Sequence, residues 1–182
     1  MLLLLYQFIL ERRIKKVPRH LTIICSETNE NFKKFLDWCR KFGIQEITIC
    51  TNSFPIKLEN VKLNYVDGEN YYSTGSGDIT INVVKSLGRD EIVIAIREIA
   101  KKILCGELNL EQIDENVFET MLKIRSQPDM IIKAGSEVPD FLIWQSIYSE
   151  LYFADIDWNT IRYVDFLRIL RDYQRRERRY GR

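Results

Sequence analysis

The sequence predicts an α/β fold, a mostly parallel central sheet flanked by helices on both faces. Three observations carry this expectation. Short unbroken apolar runs of strand length recur along the chain, as they do in strands buried on both sides. Segments with apolar residues at helical spacing lie between them, and that alternation builds parallel sheets. The chain has 182 residues, enough to bury one substantial core, so 1–182 is read as one domain.

The elements follow in order. MLLLLYQFIL and the ERRIKK behind it form an opening helix over 1–17, ended by Pro18. HLTIIC at 20–25 is the first buried strand. Between 29 and 42, Phe32, Phe35, Leu36, Cys39 and Phe42 recur at helical spacing, with Gly43 where a left-handed terminal residue belongs. IQEITIC is the second strand, 51–59 a loop containing Pro55, and NVKLNYV the third strand. DGENYYSTGSGD reads as a turn or loop, and DITINVV is the fourth strand. GRDEIVIAIREIAKKILCGE is an amphipathic helix closed by Gly106, and LNLEQIDENVFETMLK another with Asp114 as N-cap. PDMIIKAG is a fifth buried strand. FLIWQSIYSELYF reads as a helix, and a last long helix spans 158–178, its basic end merging into a tail at 173–182.

Composition excludes several functions. The 27 Lys and Arg nearly balance the 26 Asp and Glu, for a net charge of +1, so no global field draws nucleic acid, and no nucleic-acid partner is expected. Cys25, Cys39, Cys50 and Cys105 lack the close pairing of zinc or thioredoxin chemistry and read as buried thiols of a reducing cytosol. The apolar opening run is about half the length a bilayer span needs, and its positive charge follows instead of preceding it, unlike a signal peptide. A cytoplasmic location is expected. The first helix then packs on the body of the domain, on a partner, or peripherally at a lipid interface, with protein packing preferred. His20, the only histidine, opens a buried strand and reads as structural.

The segment PDMIIKAGSEVPDFLIWQSIYSELYFADIDW at 128–158 resembles the C-terminal signature of the cis-prenyltransferases, the undecaprenyl and dehydrodolichyl diphosphate synthases. Arg179, Tyr180 and Gly181 match that family's terminal RxG motif. ITINVVKSLGRDEIVIAIREIA is similar to its strand, glycine–arginine turn and following helix, and YQFILERRIKK with PRHLTII to the opening of archaeal and eukaryotic members. The resemblance covers nearly the whole chain and implies the cis-prenyltransferase fold with shortened tunnel helices.

Three departures bear on activity. Ionising an allylic diphosphate calls for Mg²⁺ on an aspartate and for donors around the phosphates. Where active members carry a DGNGR-type loop after the first strand, this chain has Ser26, Glu27, Thr28 and Asn29. Glu27 could hold Mg²⁺ from one position along, but the glycine that builds a nest of amides is missing. SFPIKLEN stands where a tunnel-lining helix would. At the fifth strand the family's arginine site is replaced by Lys133, Ala134, Gly135 and Ser136, and a lysine lacks the bidentate fork.

The resemblance therefore implies a non-catalytic subunit like the Nogo-B receptor class, inactive alone, with no intrinsic catalytic residue, metal or cofactor. Its partner would be a catalytic cis-prenyltransferase subunit that carries the Mg²⁺. The family's dimer contact maps onto Trp144, Ile147, Tyr148, Glu150, Leu151 and Phe153. Arg179, Tyr180 and Gly181 would reach the partner's site and meet isopentenyl diphosphate, a guanidinium fork suiting phosphate oxygens. The complex would add isopentenyl diphosphate to an allylic diphosphate, giving a long polyprenyl diphosphate of the dolichol type. Two alternatives stand beside it. One is a self-sufficient homodimeric prenyltransferase using Glu27 or Glu150 for Mg²⁺. The other is a non-enzymatic binding module that uses the basic tail.

Overall fold

The computed structural model describes residues 2–85, 88–134, 140–154, 156–158 and 160–176. Helix α1 (Leu2–Arg13) precedes β1 (His20–Ile24) and α2 (Asn31–Lys41). Strands β2 (Glu46–Cys50), β3 (Val61–Asp67), β4 (Asn70–Thr74) and β5 (Ile79–Val84) follow. Then come α3 (Gly88–Leu104), a 3-10 turn at Leu110–Gln112, α4 (Glu115–Met121), β6 (Met130–Lys133), β7 (Glu150–Phe153) and α5 (Tyr163–Arg175).

The seven strands form one sheet in the order β4-β3-β5-β2-β1-β6-β7. Every neighbouring pair is parallel except β3 with β4. The central strands are buried almost throughout because helices cover both faces. On one face Phe32, Phe35 and Leu36 of α2 and Phe166, Leu167 and Leu170 of α5 join Leu21, Ile23, Ile49 and Ile81 in the main core. On the other face Ile24, Cys50, Val66, Val84 and Ile131 form a smaller core with Ile124 and Leu142.

That second face also carries a file of polar side chains across five strands, buried at Asn64, Asn82, Thr48 and His20. Ser73 Oγ donates to Asn64 Oδ1 (2.8 Å), and Asn64 Nδ2 to Asn82 Oδ1 (2.7 Å). Asn82 Nδ2 reaches Glu46 Oε1 (2.6 Å) and Thr48 Oγ1 (3.1 Å), and His20 Nε2 lies 2.8 Å from Thr48 Oγ1. A one-residue slip of any of these strands would unpair its members in the interior, so the file holds the register. His20 is structural, as its place in the sequence implies. Burial depresses its pKa below the usual histidine value, opposed by the charges of Glu46 and Asp129.

Several expectations need correction. The loop at 67–78 contains β4, which pairs with β3 through a turn at Gly68. Its five residues are exposed on both faces, so no apolar alternation marked it. The expected helix over 141–153 is not helical. Residues 141–148 are turns, Leu142 sits at φ 49°, and residues 150–153 extend the sheet as β7. Gln145 pins the turns by donating to Ile124 O (2.8 Å) and Glu91 Oε2 (3.1 Å). The first helix stops at Arg13 and the last begins at Tyr163. Cys39 and Cys50 are buried, but Cys25 is half-buried and Cys105 exposed. Gly43 and Gly106 do end their helices at φ 74° each, a conformation glycine adopts without a Cβ clash.

Candidate functional site

In an open α/β sheet, ligands bind beyond the carboxyl ends of the strands where the strand order reverses. Here β1 lies between β2 and β6, so the reversal falls between β1 and β6. Its walls are the β1–α2 loop, 25–30, and the residues after Lys133. The residues 135–139, including Gly135 and Ser136 of the expected phosphate site, lie outside the described residues, as do Arg179, Tyr180 and Gly181.

The β1–α2 loop is zipped onto residues 50–53 at the end of β2. Cys25 N–H donates to Cys50 O (3.1 Å) and Thr28 N–H to Ser53 O (3.4 Å), while Glu27 and Ser53 form a parallel bridge. Ser26 O accepts from Asn52 N–H (3.3 Å) and Thr51 Oγ1 (3.0 Å). At the head of α2, Asn31 N–H donates to Asn29 Oδ1 (2.9 Å), Phe32 N–H to Asn29 O (3.0 Å) and Lys33 N–H to Glu30 O (3.1 Å). A helix N-terminus binds an anion through free amides, and these three already have protein acceptors. Thr51, Asn52 and Ser53, which zip the loop shut, were not singled out from the sequence. No local signal marks them, because they meet their partners across about 25 residues of chain.

The carboxylates are also apart. Exposed Glu27 follows the carboxyl end of β1, whereas Glu150 opens β7 at the amino end of the sheet, in register with Met130 and through it with Leu21. At about 3.3 Å per residue the two stand on the order of 15 Å or more apart. A Mg²⁺ ion prefers an octahedron of carboxylate, phosphate and water oxygens, and Glu27 with the Ser26 hydroxyl is a poor fit to it. Among the described residues no group of three or more His, Cys, Asp or Glu is placed to hold a metal. Cys25 is no nucleophile there, since burial pushes its thiol up to about 11.

The main core between the sheet, α2 and α5 is filled by rings. Phe35, fully buried, has ring centroids of Phe32 at 5.5 Å, Trp158 at 5.4 Å, Phe166 at 5.4 Å and Trp38 at 6.5 Å. Phe32 further meets Phe54 at 6.5 Å.

The six expected contact residues lie on the turns and on edge strand β7. Ile147, Tyr148 and Phe153 point outward. Trp144 instead donates to Glu119 Oε1 (3.3 Å) and stacks near Phe118, Leu151 packs against the second core, and Glu150 meets Arg176 Nη1 (3.3 Å). Arg176 also donates to Leu151 O (2.7 Å) and pairs with Asp172 (2.8 Å). It fastens the end of α5, where the tail begins, to β7. This anchor was missed in the sequence, because nothing in an arginine-rich helix end says which arginine turns inward.

A protein-family model described as "Putative undecaprenyl diphosphate synthase" matches residues 66–181. The tritrans,polycis-undecaprenyl-diphosphate synthase (geranylgeranyl-diphosphate specific) of Picrophilus torridus is 45% identical over 199 aligned positions, covering 84% of this chain and 78% of that protein. The aligned length exceeds this chain's 182 residues, so the match opens gaps in it. The synthase of the same name from Methanocaldococcus jannaschii is 48% identical over 100 residues, 52% of this chain and only 36% of that protein. Of solved structures, lavandulyl diphosphate synthase from Lavandula x intermedia has a TM-score of 0.73 at 21% identity, covering 91% of this chain and 99% of that one. A probable undecaprenyl diphosphate synthase from Campylobacter jejuni has a TM-score of 0.69 at 17% identity, with 92% and 100% covered. Both share its α/β fold. Matched by the family model over more than half its length, this chain belongs to the cis-prenyltransferase family.

Proposed function

We propose that this chain serves prenyl transfer as a subunit that does not itself run the chemistry. It would pair with a catalytic cis-prenyltransferase subunit, which supplies the Mg²⁺, and extend an allylic diphosphate with isopentenyl diphosphate. The observation that carries this reading is the β1–α2 loop tied to residues 50–53, where the amides of Cys25, Thr28, Asn31, Phe32 and Lys33 already have protein acceptors and the carboxylates are Glu27 and a Glu30 paired with Lys33. The filled aromatic core supports it, since it leaves little space for a growing chain. In this reading the outward Ile147, Tyr148 and Phe153 meet the partner, and Arg179, Tyr180 and Gly181 extend from the Arg176 anchor to the diphosphates of the partner's site.

A second reading is favoured by the curated relatives, which are named as synthases in their own right. It is a self-sufficient homodimeric prenyltransferase. On the names of relatives it is the better supported, and on the geometry of the β1–α2 loop the first is.

Radiolabelled isopentenyl diphosphate separates them. The purified chain is assayed with a geranylgeranyl diphosphate acceptor and Mg²⁺, alone and mixed with an aspartate-bearing homologue from the same genome. The subunit reading expects no product from the chain alone and stimulation of the homologue, with Arg179→Ala abolishing stimulation while the two chains still co-elute. Product from the chain alone establishes the second reading, and neither product nor stimulation removes both.

A further inference from the structure

Helix α1 is apolar on the side it buries and on the side it exposes. Leu10 and Ile14 face the main core, while Leu2, Leu4, Leu5 and Phe8 are 86%, 70%, 57% and 53% exposed. A surface helix of a water-facing protein is polar on its outer side, so this side is built for something other than water.

The charges around it say what. Arg12, Arg13, Lys15 and Lys16 follow the apolar turns, and Arg171 and Arg175 flank them from α5. Among the described residues none of these six cations has a carboxylate within ion-pair reach. The acids nearby are already taken, Glu11 by Lys41 (2.6 Å) and Asp172 by Arg176 (2.8 Å). Arg171 donates to Tyr6 Oη (3.2 Å) and Arg12 lies over the Phe8 ring (4.2 Å). Between α1 and α5 runs a groove of about 170 Å³ with Tyr6, Ile9 and Leu10 on its apolar side and Arg13, Arg171 and Arg175 on its basic side. An apolar insertion beside unneutralised cations matches an anionic bilayer surface, where one signal alone binds weakly and two together hold.

We propose that α1 and the basic side of α5 dock this protein on an anionic membrane surface. The outer side chains of Leu2 to Ile9 enter the acyl boundary and the six cations sit at the lipid phosphates. A second copy of this chain, the other occupant an apolar face could take, would bring the same cations against each other, and like charges oppose that pairing. No helix among the described residues is long and apolar enough to span a bilayer, so the contact is peripheral.

Flotation of the full chain with phosphatidylcholine vesicles, with and without one-third phosphatidylglycerol, tests it. Binding to the anionic vesicles should exceed binding to the neutral ones at least tenfold and collapse between 0.1 and 1 M salt as the screening length shrinks. Leu5→Asn/Phe8→Asn should lower the anionic partition coefficient at least thirtyfold. Arg13→Gln/Arg175→Gln should lower it about twenty-five-fold, at roughly fivefold per cation. All four side chains lie on the surface, and both double variants should keep the parent's melting temperature. Salt-insensitive binding, equal binding to neutral vesicles, or no binding by the parent would each overturn the proposal. So would a concentration-dependent dimer in sedimentation that the Leu5/Phe8 variant disperses.

Discussion

Replacing Phe35 by alanine tests whether the space above the sheet is filled or is a disguised lipid site. Phe35 is fully buried at the meeting of α2 and α5, with four aromatic rings centred 5.4 to 6.5 Å away. Truncating a buried phenylalanine costs about 3–5 kcal/mol, the lost transfer energy plus the cavity left behind. The upper end applies here, because neighbours drawn from α2, α5 and the loop at Trp158 cannot all collapse inward together. Against a total stability of about 5–15 kcal/mol the loss is severe, and at about 2–4 °C per kcal/mol a loss near 5 kcal/mol should lower the melting temperature by roughly 10–20 °C. Phe35→Leu keeps most of the volume and forfeits mainly ring geometry, so it should cost only about 1–1.5 kcal/mol. Urea titration followed by tryptophan fluorescence and by circular dichroism measures both, with coincident transitions required. A loss below about 1.5 kcal/mol for the alanine variant would refute the reasoning, as it would mean the rings enclose slack space of the kind a prenyl chain needs.

Three further outcomes are expected. Because His20 is depressed when folded, the unfolded chain takes up its proton first; its contribution is present above about pH 6.5 and lost as pH falls through the folded value. His20→Gln, compared with the parent in urea titrations from pH 5 to 7.5, should remove up to about 1.4 kcal/mol per pH unit of that slope. Arg176→Ala removes the 2.7 Å bond to Leu151 O and leaves Glu150 unpaired, so about 2 kcal/mol of stability should go. Hydrogen exchange should then quicken in β7 and spare β2, whereas uniform quickening would count against a local anchor. Ser26→Asp puts an acid at the end of β1 but leaves the amides of Thr28, Asn31, Phe32 and Lys33 engaged, so the variant alone should still transfer no prenyl group. Turnover by that variant would show that the acid was the only missing part.

Much of the fold was legible locally. The strands around Ile23, Ile49 and Ile81 are buried on both faces and so are rich in β-branched and apolar residues, and the α2 stripe of Phe32, Phe35, Leu36 and Cys39 is visible because one face of that helix is buried whole. Strand β4 escaped because both its faces meet solvent. Residues 141–153 misled because apolar residues at helical spacing are equally what a knot of turns buries piecemeal, and the left-handed Leu142 cannot be read from a leucine. For the site, Ser26 in place of an acid is plain in the sequence, but the bonds that tie the loop to Thr51, Asn52 and Ser53 are not.

The sequence alone determined the α/β class, the family resemblance with its missing residues, and the apolar and basic character of the opening helix, because periodicity, motif and composition are properties of neighbours along the chain. Only the tertiary structure decided that Thr51 and Ser53 close the loop after β1 and that Glu150 stands at the opposite end of the sheet from Glu27. It also decided that the cations of α1 and α5 share one surface with the exposed leucines. Each of these depends on which distant segments the sheet register and helix packing bring together, and no window of sequence holds both halves of such a contact.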